Sequence, residues 1–230
     1  MRFQAYAATV AGPRHTALNQ PNQDALLVRN WHKQWLMVVC DGMGSRPQAS
    51  MGSRQACLAV AYVLRRSAFD VSDRFLIQAV YQEWLRRLGN IPPNDAITTC
   101  LFAWGLNSGE TRLFQLGDGA VYYYTDQFAC LGERGTEQFS NETTGLGLSR
   151  KFSDWRCGVV HLTEPNHGVG LLTDGISDDL VGEDQLLPTL SRSLHSKSSR
   201  LGSLWLKKQL IDWDTPNHTD DKTIALIYRV

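Results

Sequence analysis

The sequence has no hydrophobic run of membrane-spanning length. Stretches such as Trp35–Cys40 fall far short of the ~18 apolar residues needed to cross a bilayer. The opening MRFQAYAATVAGPRH holds no apolar segment of the kind that makes a signal peptide. Neither charge is in surplus, with 23 Lys and Arg against 23 Asp and Glu in 230 residues. A neutral chain lacks the bulk positive field that holds nucleic-acid backbone or an anionic membrane. No C-x-x-C spacing occurs, and the cysteines at 40, 57, 100, 130 and 157 are odd in number and sit in apolar stretches. They read as reduced core thiols, not as a disulfide framework or a structural zinc site. No repeat is visible, and the one conspicuous polar run, RSLHSKSSR at 192–200, reads as a loop or linker. These absences predict a soluble cytoplasmic protein without nucleic-acid or membrane partners.

What is present suits a folded domain. Hydrophobic residues make up 43% of the chain and charged residues 20%, enough to bury a core, and the length predicts one domain over residues 1–230. Segments rich in β-branched and aromatic residues, FQAYAATVA, ALLVRN and QWLMVVC, predict strands on short connections. Two helices follow. From Gln48 to Arg65, Ala49, Gly52, Ser53 and Ala56 form a small-residue stripe that allows close approach to a sheet. From Asp73 to Leu88, Leu76, Val80, Trp84 and Leu88 make one apolar face, with Arg86, Arg87 and Gly89 as a stop. Strands resume in AITTCLFAWGL, ETRLFQLG, AVYYYTD, QFACLG, WRCGVVHL and GVGLLTD. A helical pair near 183–195 and 201–211 precedes a final strand, KTIALIYRV. This order lacks β-α-β alternation and predicts an α+β protein of antiparallel sheets layered with helices.

Aspartate outnumbers glutamate, sixteen to seven, and its placement is patterned. Asp41 follows LMVVC, Asp118 follows LFQLG, Asp174 follows GVGLLT, and Asp220 precedes TIALIY. Asp24, in PNQD before ALLV, makes a fifth case. Asp-Gly after a strand is also a common turn. However, no Lys or Arg lies within three residues of Asp41, Asp118 or Asp174, and only Lys222 stands near Asp220. Carboxylates at the edge of an apolar core need compensation, and divalent cations held through oxygen provide it.

The ordered segments PNQD (21–24), VVCDGMGS (38–45), ITTC (97–100), QLGDG (115–119), LLTDGISDD (171–179) and DDKT (220–223) resemble the type 2C metal-dependent Ser/Thr protein phosphatases, the PPM family, and HTALNQPNQD is most similar to its bacterial branch. The resemblance implies a four-layer α-β-β-α sandwich, with two antiparallel sheets flanked by helix pairs and the site at one end. It also implies hydrolysis of phosphoserine and phosphothreonine in proteins by water activated between two Mg²⁺ or Mn²⁺ ions, opposite a cognate Ser/Thr kinase, with no covalent phosphoenzyme. Carried over by position, Asp41 bridges both ions, Gly42 offers its carbonyl, Asp174 and Asp220 hold the second ion, and Asp24 holds outer-shell water. Asp118 and Asp178 match positions that bind a third, weaker ion in related enzymes. Thr98 and Thr99 match a hydroxyl pair near the site.

Two departures stand out. Many relatives grip the phosphate with an Arg five residues before the NQD aspartate, where this chain has Asn19. Arg14 and His15, a few residues upstream, are the candidates to contact phosphate or protonate the leaving oxygen. Met43 replaces a His used elsewhere as a general acid. These departures keep a competing reading in view, that of a catalytically weak phosphatase-like module binding a kinase or another signalling partner. The irregular stretch 133–154 is expected to be a flap over the site, and His167 is expected to be structural.

Overall fold

The computed structural model of the protein describes residues 2–132, 144–213 and 219–230. Strands β1 (Phe3–Val10), β2 (Ala25–Trp31) and β3 (Gln34–Cys40) precede helices α2 (Ala49–Leu64) and α3 (Asp73–Leu88), with the short α1 (Pro13–Ala17) after β1. Strands β4 (Cys100–Leu106), β5 (Glu110–Leu116), β6 (Ala120–Tyr124), β7 (Phe128–Cys130), β8 (Arg156–His161) and β9 (Gly168–Leu172) follow. The chain closes with α4 (Asp174–Ser177), α5 (Leu186–Leu194), α6 (Ser199–Asp212) and β10 (Lys222–Arg229). The strands form two five-stranded antiparallel sheets, ordered β1-β10-β9-β6-β7 and β2-β3-β4-β5-β8.

Period-two alternation sorts the central strands between layers. On β3, Leu36, Val38 and Cys40 face α2 and α3, while Trp35, Met37 and Val39 face the opposite sheet. On β10, Ala225 and Ile227 join that inter-sheet core, while Ile224, Leu226 and Tyr228 pack toward α5 and α6. Three apolar clusters therefore separate four layers, giving the α-β-β-α sandwich that the family resemblance implied. The tyrosine run divides the same way, with Tyr122 and Tyr124 on the helix side and Tyr123 between the sheets. Both faces of these strands are buried, so they read as nearly continuous apolar runs.

The small-residue stripe of α2 works as its spacing predicts. Ala49, Gly52, Ser53 and Ala56 are all buried. A Cβ on Gly52 would fall 2.0 Å from the Ala96 carbonyl oxygen, and the Gly52 carbonyl accepts the Trp84 indole N–H at 3.1 Å. The four periodic residues of α3 are buried, and Gly89 ends the helix with φ +59°. Two local expectations change, and one short helix is added. The 192–200 run is a loop only at 195–198, because Ser198 caps α6 by accepting the Leu201 N–H at 3.4 Å. Gly12-Pro13 opens α1, with Pro at the position whose missing N–H costs nothing. The strand predicted from Ala96 begins at Cys100, because Thr98 turns aside to bridge Gly42 and Leu146. None of the five cysteines is in a disulfide; Cys40, Cys57 and Cys100 are buried, and Cys130 and Cys157 half-buried. No helix among the described residues is long and apolar enough to cross a membrane.

Candidate active site and metal centre

Strand register brings the aspartates together. Ala25 pairs with Cys40, which sets Asp24 beside Asp41. Leu172 pairs with both Ile224 and Ala120, so the residues flanking those strands, Asp174, Asp220 and Asp118, meet at the same end of the sandwich. Asp118 sits in the β5–β6 crossover between Gly117 (φ +93°) and Gly119 (φ +83°), a tight passage that only glycines make without strain.

Asp41, Asp118, Asp174 and Asp220 line a pocket of about 130 Å³ with Met43, Gly44 and the threonines 98, 99 and 144, and no cation lines it among the described residues. Carboxylate oxygens of Asp41, Asp118 and Asp174 lie within 4.8 Å of one another. The electrostatics follow from this crowding. Burial pushes the Asp41 carboxyl well above the usual carboxylate range, and repulsion from Asp24, Asp174, Asp220 and Asp118 adds to it. Burial raises Asp24 to about 8. Burial, with Asp118 and Asp220 nearby, raises Asp174 to about 6.

Asp41 is fixed through its main chain. Its carbonyl accepts from Thr98 Oγ1 at 2.7 Å and from the Thr99 N–H at 2.8 Å, and its own N–H donates to Thr99 Oγ1 at 2.8 Å. The hydroxyl pair is buried and holds the residue that carries the central carboxylate in place. Gly42 is locked between neighbours, since a Cβ there would fall 2.4 Å from the Ala49 carbonyl oxygen and 2.9 Å from that of Gln23. Asp24 accepts from Thr173 Oγ1 at 3.0 Å through Oδ2, while its Oδ1 is buried without a hydrogen-bond partner.

His15 and Arg14 are not among the residues lining the pocket. His15 is 6% exposed, and its Nδ1 lies 2.9 Å from Asp221 Oδ1. The same oxygen accepts the Gly12 N–H at 2.7 Å, and Asp221 Oδ2 accepts the Gln23 N–H at 2.6 Å. A carboxylate has no proton to give, so Nδ1 carries the hydrogen. Arg14 is exposed, with its backbone N–H on the Thr219 carbonyl. Asp178 also lies off the pocket, one turn beyond Asp174, where its N–H donates to the Asp174 carbonyl at 3.0 Å. Asn19 has φ +52°, a left-handed conformation that Asn tolerates and Arg does not favour. His167 is structural, accepting the N–H groups of Thr163 and Glu164 at 3.3 Å each. Of the stretch 133–154, residues 133–143 lie outside the described residues, and Thr144 and Gly145 border the pocket.

Sequence reasoning passed over Asp221 and Thr173. The doubled carboxylate of HTDDKT was the available signal for Asp221. Nothing local marks Thr173, whose hydroxyl links Asp24 to the Thr223 N–H at 3.0 Å.

The donor set fits hard divalent cations. It is all oxygen, crowded and short of positive charge, and it includes a buried unpartnered carboxylate oxygen. Oxygens sharing one Mg²⁺ at about 2.1 Å stand roughly 3–4 Å apart, and the cluster spans a comparable distance.

Carboxylates clustered at one end of a four-layer sandwich make an oxygen-rich centre of the kind that suits divalent metal. The family model for protein phosphatase 2C matches residues 11–213, and the chain belongs to that family. Solved structures share its fold. The serine/threonine phosphatase Stp1 from Staphylococcus aureus is 17% identical, with a TM-score of 0.70 over 100% of this chain and 96% of that one. The catalytic domain of the serine/threonine protein phosphatase PstP, in complex with 2 manganese ions, is 15% identical, with a TM-score of 0.69 over 98% and 97%. A bacterial serine phosphatase is 20% identical, with a TM-score of 0.69 over 99% and 98%. No curated protein sequence matches the chain.

Proposed function

We propose that the chain removes phosphate from phosphoserine and phosphothreonine in proteins, in the cytoplasm and opposite a Ser/Thr kinase, in a reaction that depends on Mg²⁺ or Mn²⁺. The observation that carries this reading is the pocket lined by Asp41, Asp118, Asp174 and Asp220, with Asp24 behind it and no lining cation among the described residues. A scaffold that only bound partners would gain nothing from so costly a cluster. Asp41, the Gly42 carbonyl, Asp174 and Asp220 would hold two ions, with Asp24 in the outer shell and Asp118 and Asp178 toward a third. Bound there, the metal supplies Lewis-acid charge that lowers the pKa of water and neutralises the phosphoryl oxygens.

The chain's own residues position this centre. Thr98 and Thr99 fix Asp41, Thr173 orients Asp24, and the Asp221–His15 pair ties the Gly12 and Gln23 backbone to the start of β10. His15 is thus a positioning residue. Met43 lines the pocket and has no proton to give. Arg46 follows Met43 and Gly44 on the same loop, off the pocket lining; we propose that its guanidinium reaches in to the substrate phosphate in place of the Arg missing at Asn19. The test is hydrolysis of p-nitrophenyl phosphate and a phosphothreonine peptide with and without Mn²⁺, in the wild type and in Asp41→Asn. Turnover that needs metal and vanishes in the mutant supports the reading, whereas a folded wild type inert on both substrates refutes it and favours the binding module.

A further inference from the structure

The two sheets leave their edges open side by side. β1 ends one sheet and β2 the other, and the two strands are in contact. Two adjoining cavities of about 730 and 710 Å³ lie along this edge, between α2 and α6. Residues 25–29 of β2 and 5–9 of β1 line them without a break. A sheet face offers only alternate residues, so consecutive lining residues mean that the cleft meets both strands edge-on. Strand edges present backbone N–H and C=O groups that seek an extended partner. One such donor on β1, the Ala7 N–H, already bonds Ser203 Oγ of α6 at 3.0 Å.

The walls are cationic. Arg29, Arg54, Arg200 and Lys207 line the cleft, and none of them forms an ion pair among the described residues. The one carboxylate in the lining is Asp24, at the end where the cleft abuts the metal centre. From Asp24 to Arg29 an extended strand runs roughly 17 Å, room for about five residues of a second chain. Backbone edges select an extended polypeptide, and the unpaired cations select its sign.

We propose that this cleft takes an extended, acidic segment flanking the phosphorylated residue of a protein substrate. Its backbone lies along the open edges and its carboxylates face Arg54, Arg200 and Lys207. The proposal rests on the phosphatase reading, because that supplies the substrate, but the cleft can be tested without catalysis.

Two unphosphorylated fluorescent peptides of about eight residues, one alternating Glu with Val and Thr and one alternating Lys with the same residues, are titrated with Mn²⁺-loaded protein and read by anisotropy. The acidic peptide binds and the basic one does not, and Arg54→Glu/Arg200→Glu weakens binding by about tenfold or more. The same double variant raises KM about tenfold or more for a phosphothreonine peptide with the acidic extension, while kcat/KM for p-nitrophenyl phosphate stays within about twofold. If the double variant is unstable, Arg200→Ala and Lys207→Glu singly give the same direction at smaller size. Equal binding of the two peptides, or unchanged affinity in every charge variant, overturns the proposal. So does a wild-type dimer in light scattering that these substitutions dissociate, because the cleft would then hold a second copy. A wild type inert on p-nitrophenyl phosphate would refute the phosphatase reading, and the anisotropy outcome would still decide the cleft.

Discussion

Removing metal should make stability fall with rising pH. Burial raises Asp24 to about 8 in the folded chain, against an ordinary value of 3.8. Between about pH 6 and 8 the folded state therefore keeps a proton that the unfolded state has lost. A carboxyl raised on folding costs nothing below its unfolded pKa, and its full penalty is present only above the folded one. Each pH unit in the window costs about 1.4 kcal/mol from this group, or about 3 kcal/mol over two units. For a chain of this size that is a fall of roughly 6–12 °C in Tm. Asp174, raised to about 6, contributes the same sign at lower pH. Scanning calorimetry of chelated protein at pH 6, 7 and 8 measures the slope. Saturating Mn²⁺ should flatten it by compensating the carboxylates, and Asp24→Asn should reduce it, leaving the part that Asp41 contributes. A metal-free Tm that is flat or rises over this range, or a slope unchanged in Asp24→Asn, would refute the account of the pocket as frustrated acidic charge.

Other substitutions separate positioning from chemistry. Asp174→Asn should abolish metal-dependent turnover yet raise the metal-free Tm, because it relieves repulsion on Asp41; calorimetry beside an activity assay shows both. His15→Ala should cost about 1–3 kcal/mol of stability by leaving Asp221 short of a donor, and should weaken Mn²⁺ uptake in titration calorimetry without creating a new pH optimum. Gly42→Ala forces a methyl against two backbone carbonyls and should cost about 1–3 kcal/mol in denaturant unfolding, together with Mn²⁺ affinity. Arg46→Ala should raise KM for p-nitrophenyl phosphate with Mn²⁺ affinity unchanged, and an unchanged KM removes Arg46 from the phosphate site.

Much of this was legible because the aspartates end apolar runs. A strand end is a local property, and the strands' alternation and the helix spacing of Leu76, Val80, Trp84 and Leu88 carry over directly into the layers. The companions of those aspartates are set by register and were not legible. Asp221 meets His15 across 206 residues of sequence, and Thr173 meets Asp24 across 149. His15 and Arg14, close upstream of Asp24, suggested substrate contact from proximity in sequence, but a short helix turns one inward to Asp221 and leaves the other in solvent. The polar run at 192–200 hid a helix start, because a capping serine followed by exposed first-turn residues has the composition of a loop.

The acidic centre draws on both halves of the sandwich. Asp24 and Asp41 border strands of one sheet, Asp174 and Asp220 border strands of the other, and Asp118 rides the passage between them. An ion shared across that seam would act as a rivet. Loading it would fasten the two slabs at one end, and stripping it would leave mutual repulsion to prise that end apart, so cofactor occupancy and the mechanical integrity of the sandwich would rise and fall together.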